Sequence, residues 1–130
     1  LMKADIVKFK EMGCKGIVSG VLKSDNTINI ETTKELIVLC KPLEFTFHRA
    51  FDKIINPIEG MKQLANIGAN RILTSGQKDT AIEGIQLIKK LKHTSKGRIK
   101  IMAGSGIKSQ NISMFQNIGI NEIHGSSILD

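Results

Sequence analysis

Apolar residues fall along this chain in two rhythms that take turns, short runs and longer stretches stepped by three and four residues. The short runs are predicted strands at about 16–19, 43–48, 71–74, 98–103 and 121–124. The stepped stretches are predicted amphipathic helices near 3–12, 31–40, 57–67, 79–92 and 109–118, because apolar positions at such spacing share one helix face. The fourth is the clearest, with Ile82, Ile85, Leu87, Ile88 and Leu91 on one broad side and Glu83, Lys89, Lys90 and Lys92 mostly off it.

An internal repeat supports the alternation. Gly13, Gly68 and Gly119 each close a helical stretch, and a short apolar run begins a few residues later. Glycine suits that place because it takes the left-handed cap conformation without strain. The intervals of 55 residues (68 less 13) and 51 residues (119 less 68) are about twice a single βα unit, so another strand belongs in each gap. The runs at 43–48 and 98–103 fill them. Asn56 before Pro57 reads as a cap and first-turn proline, and Ser109 as the cap of the last helix.

Regular βα alternation predicts an α/β fold with parallel strands and right-handed crossovers. In an open doubly wound sheet the strands would be almost continuously apolar. Here Glu44, Thr46 and His48 alternate with Phe45 and Phe47, and Lys100 and Met102 with Ile99 and Ile101. One apolar face and one mixed face fit a barrel wall with helices outside. Ion pairs of Glu44 with Arg71 and of Lys100 with Glu122 are then expected near the barrel floor, with simple solvation of these charges as the alternative.

Composition narrows the class. The 130 residues are 41% hydrophobic and 24% charged with two prolines, a globular balance long enough for one domain, 1–130. No run reaches the roughly 18 apolar residues of a membrane span, and the charged start LMKADIVKFKEMG does not read as a signal peptide. Cys14 and Cys40 lack CxxC spacing, which favours free thiols in a reducing cytoplasm. The net charge of +7 raises nucleic acid as a partner, but dispersed lysines and the absence of Trp and Tyr point to a solvated basic exterior. The chain opens on Leu1 and stops at GSSILD without a closing helix, so an incomplete domain is expected.

Candidate chemistry gathers where strands pass into their following loops, the end at which parallel barrels carry function. The turns Gly104-Ser105-Gly106 and Gly125-Ser126-Ser127 fit an anion cradle, since glycines let backbone N–H groups approach an oxyanion; the alternative is plain chain reversal. Ser75 and Gly76 sit at the same end, and Arg49 can add a charge-assisted fork to a phosphate or carboxylate. His48 and His124 read as acid–base groups or metal ligands, with structural hydrogen bonding as the alternative. Asp52 or Glu44 can orient either ring. His93 ends a lysine-rich helix and reads as a dipole partner. Copper(I) prefers thiolate or thioether, Met102 is the one sulfur placed near the mouth, and no complete metal site is visible.

These residues carry a family resemblance. MKADI at 2–6, GlyIleValSerGlyValLeu from 16, ThrPheHisArgAlaPheAsp at 46–52, LeuThrSerGly at 73–76, AlaGlySerGlyIle at 103–107 and GluIleHisGlySerSer at 122–127 together resemble the CutC copper-homeostasis family. The resemblance implies an eight-stranded TIM-type barrel of which this chain carries the fourth to eighth strands. It implies a role with copper, although the family's proposed copper cysteines belong to the first part of the barrel and match neither Cys14 nor Cys40. The expected function is cytoplasmic copper handling; the alternative is a barrel enzyme acting on a small anionic metabolite, phosphorylated or otherwise. Catalytic expectations fall on His48 and Asp52, and ligand-binding expectations on Arg49, Ser75, Gly76, Gly104, Ser105, Gly106, Gly125 and Ser126. Unpaired wall edges would favour homo-oligomers and low stability in the isolated chain.

Overall fold

The computed structural model describes residues 16–124. The predicted helix at 3–12, Cys14, and the residues Gly125 and Ser126 lie outside the described residues, as does the imidazole of His124.

Five strands form one sheet in the order β1 (Gly16–Ser19), β2 (Glu44–Phe47), β3 (Arg71–Thr74), β4 (Lys100–Gly104) and β5 (Glu122–His124). Every neighbouring pair is parallel. Helices α1 (Ile30–Cys40), α2 (Pro57–Asn66), α3 (Ile85–Ser95) and α4 (Ile112–Asn117) separate them. The wall is a partial (β/α) barrel.

Local chemistry explains most boundaries. The Asn29 side chain accepts from the Thr32 N–H at 3.2 Å, and Asn56 accepts from the Glu59 N–H at 3.3 Å ahead of Pro57, so both helices start on a capped turn. Gly68 and Gly119 follow α2 and α4 with φ of 96° and 85°, the left-handed conformation expected of them.

Four boundaries differ from the periodicity by two residues or more. Helix α3 starts at Ile85, not near 79, because the Ala81 N–H donates to the Ser105 carbonyl at 2.9 Å and the Thr80 hydroxyl takes the Glu83 N–H. Those groups serve a turn before they can serve a helix. It also runs to Ser95, past the expected end at 92. Helix α4 starts at Ile112, not behind Ser109, because the Asn111 side chain accepts the Lys108 N–H at 2.9 Å and closes a turn there. Strand β4 starts at Lys100 because the Arg98 N–H is still bonded to the Ser95 carbonyl.

The register sorts the two faces of the wall. Ile17 pairs with Phe45, Phe47 with Ile72, and Ile72 with Ile101, and all are buried on the helix side. Leu36 and Ile37 of α1, Met61 and Leu64 of α2, Ile88 and Leu91 of α3 and Phe115 of α4 pack with them as one core. On the opposite face Val18 pairs with Thr46, Thr46 with Arg71, and Arg71 with Lys100. Val18 is 58% exposed there, so this face is the mixed, concave side of the wall.

The ion pairs expected on that face are present, joined by a stronger one. Arg71 Nη1 donates to Glu44 Oε1 at 2.7 Å, and Lys100 Nζ lies 3.8 Å from Glu122 Oε1. Arg71 also reaches past β4 to hold Glu122 with both arms of its fork, at 2.5 and 3.0 Å. That contact raises the Arg71 guanidinium pKa and lowers that of the Glu122 carboxyl, the hydrogen bonds outweighing the burial that opposes them.

Candidate functional site at the barrel mouth

At the C-terminal ends of β2 and β3 two loops are locked together through one carboxylate. Residues Arg49–Lys53 form a single 3-10 turn directly after β2, placing Arg49 and Asp52 on the loop side of the sheet. Asp52 Oδ1 accepts the Thr74 hydroxyl at 2.5 Å and the Gln77 N–H at 3.2 Å. Its Oδ2 accepts the Ser75 hydroxyl and Arg49 Nε, each at 2.9 Å, and the Ser75 N–H reaches both oxygens at 3.2 Å. The Gln77 side chain adds a bond to the Ile54 carbonyl at 2.7 Å. A carboxylate with this many donors is spent on holding the loops, because its lone pairs are occupied.

Gly76 belongs to the same lock for a steric reason. It takes φ of 72°, and a Cβ there would run into the Gly84 backbone, while a Cβ on Gly84 would run into the Ser75 carbonyl. The two backbones touch, and only paired glycines permit that approach. The Gly76 N–H donates to Thr74 Oγ1 at 2.9 Å. Ser75 and Gly76 are therefore both engaged within the loop.

His48 and Arg49 face an open groove of about 620 Å³ lined also by Ala50, Asp52, Lys53 and Leu73. His48 caps the 3-10 turn: its Nδ1 accepts the Ala50 N–H at 3.1 Å. Its backbone N–H donates to the Ser19 carbonyl at 3.1 Å, and its ring meets Phe47 edge-on at 5.7 Å. Arg49 is 44% exposed. Two of the five guanidinium N–H donors are committed, Nε to Asp52 and one on Nη2 to Ser75 Oγ at 2.9 Å.

The Gly104-Ser105-Gly106 turn is tied to the β3 loop. Ser105 takes φ of 87°, its hydroxyl donates to the Asp79 carbonyl at 2.8 Å and its own carbonyl accepts from Ala81. The structure thus brings His48, Arg49, Asp52 and Ser75 into direct contact or one groove, whereas the Ser105 side chain is held by the neighbouring loop. His93 stands in the last turn of α3 beside Lys92, where a helix C-terminus favours positive charge.

Among the described residues the sulfur atoms do not assemble. Cys40 and Met61 are buried in α1 and α2, Met114 is exposed on α4, and Met102 lies on the concave face in register with Leu73 and Glu122. Among the described residues no group of three or more His, Cys, Asp or Glu side chains stands close enough to hold a metal ion. The donor set here does not suit copper(I), which prefers clustered thiolates and thioethers. No helix among the described residues is long and apolar enough to cross a membrane.

Sequence reasoning placed His48, Arg49 and Asp52 at the mouth but not the carboxylate lock. The nearest signal was the pairing of ThrPheHisArgAlaPheAsp with LeuThrSerGly, whose polar atoms now prove to be hydrogen-bonded to each other.

Comparisons with known proteins agree with this fold. The chain is 42% identical over 128 residues to the copper homeostasis protein cutC homolog of Mus musculus, covering 98% of this chain and 47% of that protein. It is 41% identical over 127 residues to the CutC family protein of Edwardsiella ictaluri, covering 98% of this chain and 50% of that protein. The CutC structure from Streptococcus agalactiae superposes with a TM-score of 0.91 at 32% identity, over 98% of this chain and 63% of that one. A structure described as an aldolase aligns with a TM-score of 0.75 at 20% identity, a likeness of fold alone. The chain spans about half the length of the curated relatives it matches. The family model described as CutC family matches residues 1–129, and the chain belongs to the CutC family.

Proposed function

We propose that this chain serves copper homeostasis in the cytoplasm as the fourth to eighth βα units of a CutC barrel. The observation that carries the reading is its 42% identity to a mammalian protein named for that role. The two widely spaced cysteines support a reducing compartment. The described residues supply no soft ligand cluster, so this segment contributes the barrel wall and part of its mouth, and no copper step is routed through it. The test is growth across a copper series with the gene deleted and restored. Deletion should lower the copper concentration tolerated and restoration should recover it; an unchanged dose response rejects the reading.

A second reading follows from Arg49. Its guanidinium is fixed by Asp52 and Ser75 with donors to spare, next to His48 and Lys53. We infer a barrel enzyme whose mouth binds a small anionic metabolite, with Arg49 gripping the anion and Asp52 and Ser75 positioning Arg49. The turns at Gly104-Ser105-Gly106 and Gly125-Ser126 would complete the mouth in that reading. Arg49→Ala should abolish binding of the anion, and unchanged binding removes the proposal. Separately, we infer homo-oligomer formation from the unpaired edges of the five-stranded wall, and sedimentation velocity tests it.

A further inference from the structure

The groove described above has a directional chemistry, and resting on the anionic-ligand reading we propose that it is an all-donor clamp in which His48 is fixed as a neutral Nε2–H hydrogen-bond donor. Its ligand is a small molecule with an anionic, acceptor-only oxygen group, a phosphate or a carboxylate, on a short apolar body.

A neutral imidazole carries one N–H and one bare nitrogen, and which is which follows from the partner of either. In His48 the Nδ1 lone pair accepts the Ala50 N–H at 3.1 Å, so the proton sits on Nε2. Among the described residues Nε2 has no hydrogen-bond partner, and it lies on the ring that lines the groove. Moving the proton to Nδ1 would oppose two N–H groups and undo the cap of the turn that carries Arg49. Metal ligation through Nε2 and proton acceptance at Nε2 both require that move, because only then does Nε2 have a free lone pair. The cap therefore turns His48 away from copper ligation and away from general-base work.

The other polar atoms of the groove have the same sense. The remaining Arg49 N–H groups and the Lys53 ammonium are donors only. The side-chain acceptors on the lining are already spent, Asp52 on Thr74, Ser75, Gln77 and Arg49, and His48 Nδ1 on the Ala50 N–H. An acceptor-only oxygen group suits these donors, whereas the proton of a hydroxyl or amine, or a metal cation, would find no free side-chain acceptor. Leu73 and Ala50 supply the apolar side.

The experiment is a phosphate titration and a parallel malonate titration of the 130-residue chain at constant ionic strength, followed by 15N NMR of the histidine rings. The Nε2 of His48 should carry the proton before and after titration, and its shift and that of the Arg49 side chain should move with at least one anion. His48→Asn puts an amide oxygen in the place of Nδ1 and so keeps the cap while withdrawing the donor from the Nε2 position; it should weaken binding about tenfold. Arg49→Lys keeps the charge but loses the fork and should weaken it comparably. Proton on Nδ1, loss of the Nε2 proton on addition of Cu(I), or a His48→Asn chain of unchanged affinity would each overturn the donor assignment while leaving anion binding by Arg49 standing. Failure of both anions to bind overturns the clamp and the anionic reading together, and leaves the copper-tolerance experiment unaffected.

Discussion

The Thr74 hydroxyl donates to the Asp52 carboxylate across 2.5 Å, joining the loop after β3 to the turn after β2. Thr74 and Ser75 are completely buried; without the carboxylate the Thr74 hydroxyl and the Ser75 N–H lose their acceptor, while the Ser75 hydroxyl keeps the Lys78 carbonyl at 2.5 Å. Buried donors left unsatisfied cost about 1–3 kcal/mol each. Asp52→Ala should therefore destabilise the chain by about 2–4 kcal/mol, read from the midpoint of urea unfolding. A loss under about 0.5 kcal/mol, the range of an ordinary surface change, would show that the loops hold without it.

Two glycines provide a steric contrast. Gly84 has a φ of −93° that any residue accepts, yet a Cβ there strikes the Ser75 carbonyl and Gly76. Gly97 has φ of 80° with nothing within 4 Å of a Cβ. Gly84→Ala should cost about 3 kcal/mol or more through forced backbone displacement, while Gly97→Ala should cost only about 1 kcal/mol, from the left-handed backbone alone. Thermal melts of the two variants side by side test the ordering, and the reverse order would contradict the back-to-back packing.

The Arg71–Glu122 pair gives a pH signature. Hydrogen bonds from Arg71 hold the Glu122 carboxyl below the usual glutamate range, with Lys100 adding to the effect. A depressed folded pKa contributes stability that is full above the unfolded value, about 4.3, and is lost as pH falls through the folded value. Glu122→Gln should therefore be less stable than the parent at pH 7, by about 1 kcal/mol after solvent screening. The gap should close as pH drops below about 4.3. Denaturant midpoints of both chains between neutral pH and acid measure it, and a gap that persists in acid would assign the loss to packing.

Strand β1 tests the sense of the wall. Ile17 is 3% exposed against the helices and its neighbour Val18 is 58% exposed on the concave side. Ile17→Ala should cost about 2–5 kcal/mol, and Val18→Ala should stay within about 0.5 kcal/mol. Equal costs would mean that both faces of β1 are covered.

Much of the architecture could be read in advance because it rests on local signals. Gly68 and Gly119 announced their strands, Asn56 and Pro57 their helix, and the alternation of Glu44, Phe45, Thr46 and Phe47 announced a wall with two unlike faces. Long-range hydrogen bonds were less accessible. Arg71 and Glu122 are 51 residues apart, and the reach of one guanidinium past a whole strand depends on curvature that periodicity does not encode. The start of α3 was missed for a similar reason, since the Ala81 N–H is claimed by Ser105 on another loop. At the mouth, residue types alone suggested that Asp52 and His48 carry out chemistry. What each does depends on who already occupies its lone pairs, and those partners are Thr74, Ser75 and Ala50.

At the opposite end, Asn70 sets a level. Its side-chain oxygen takes the Phe45 N–H at 2.7 Å, its own N–H goes to the Phe45 carbonyl and its carbonyl takes the Lys100 N–H. One residue thus gauges the height of three adjacent ribbons before any of them climbs. A slip of a single step would exchange inward for outward side chains along the whole ribbon, presenting a phenyl ring at the rim where an imidazole now stands. The vertical alignment of the groove is decided about four residues below it, by an amide that touches none of its contents.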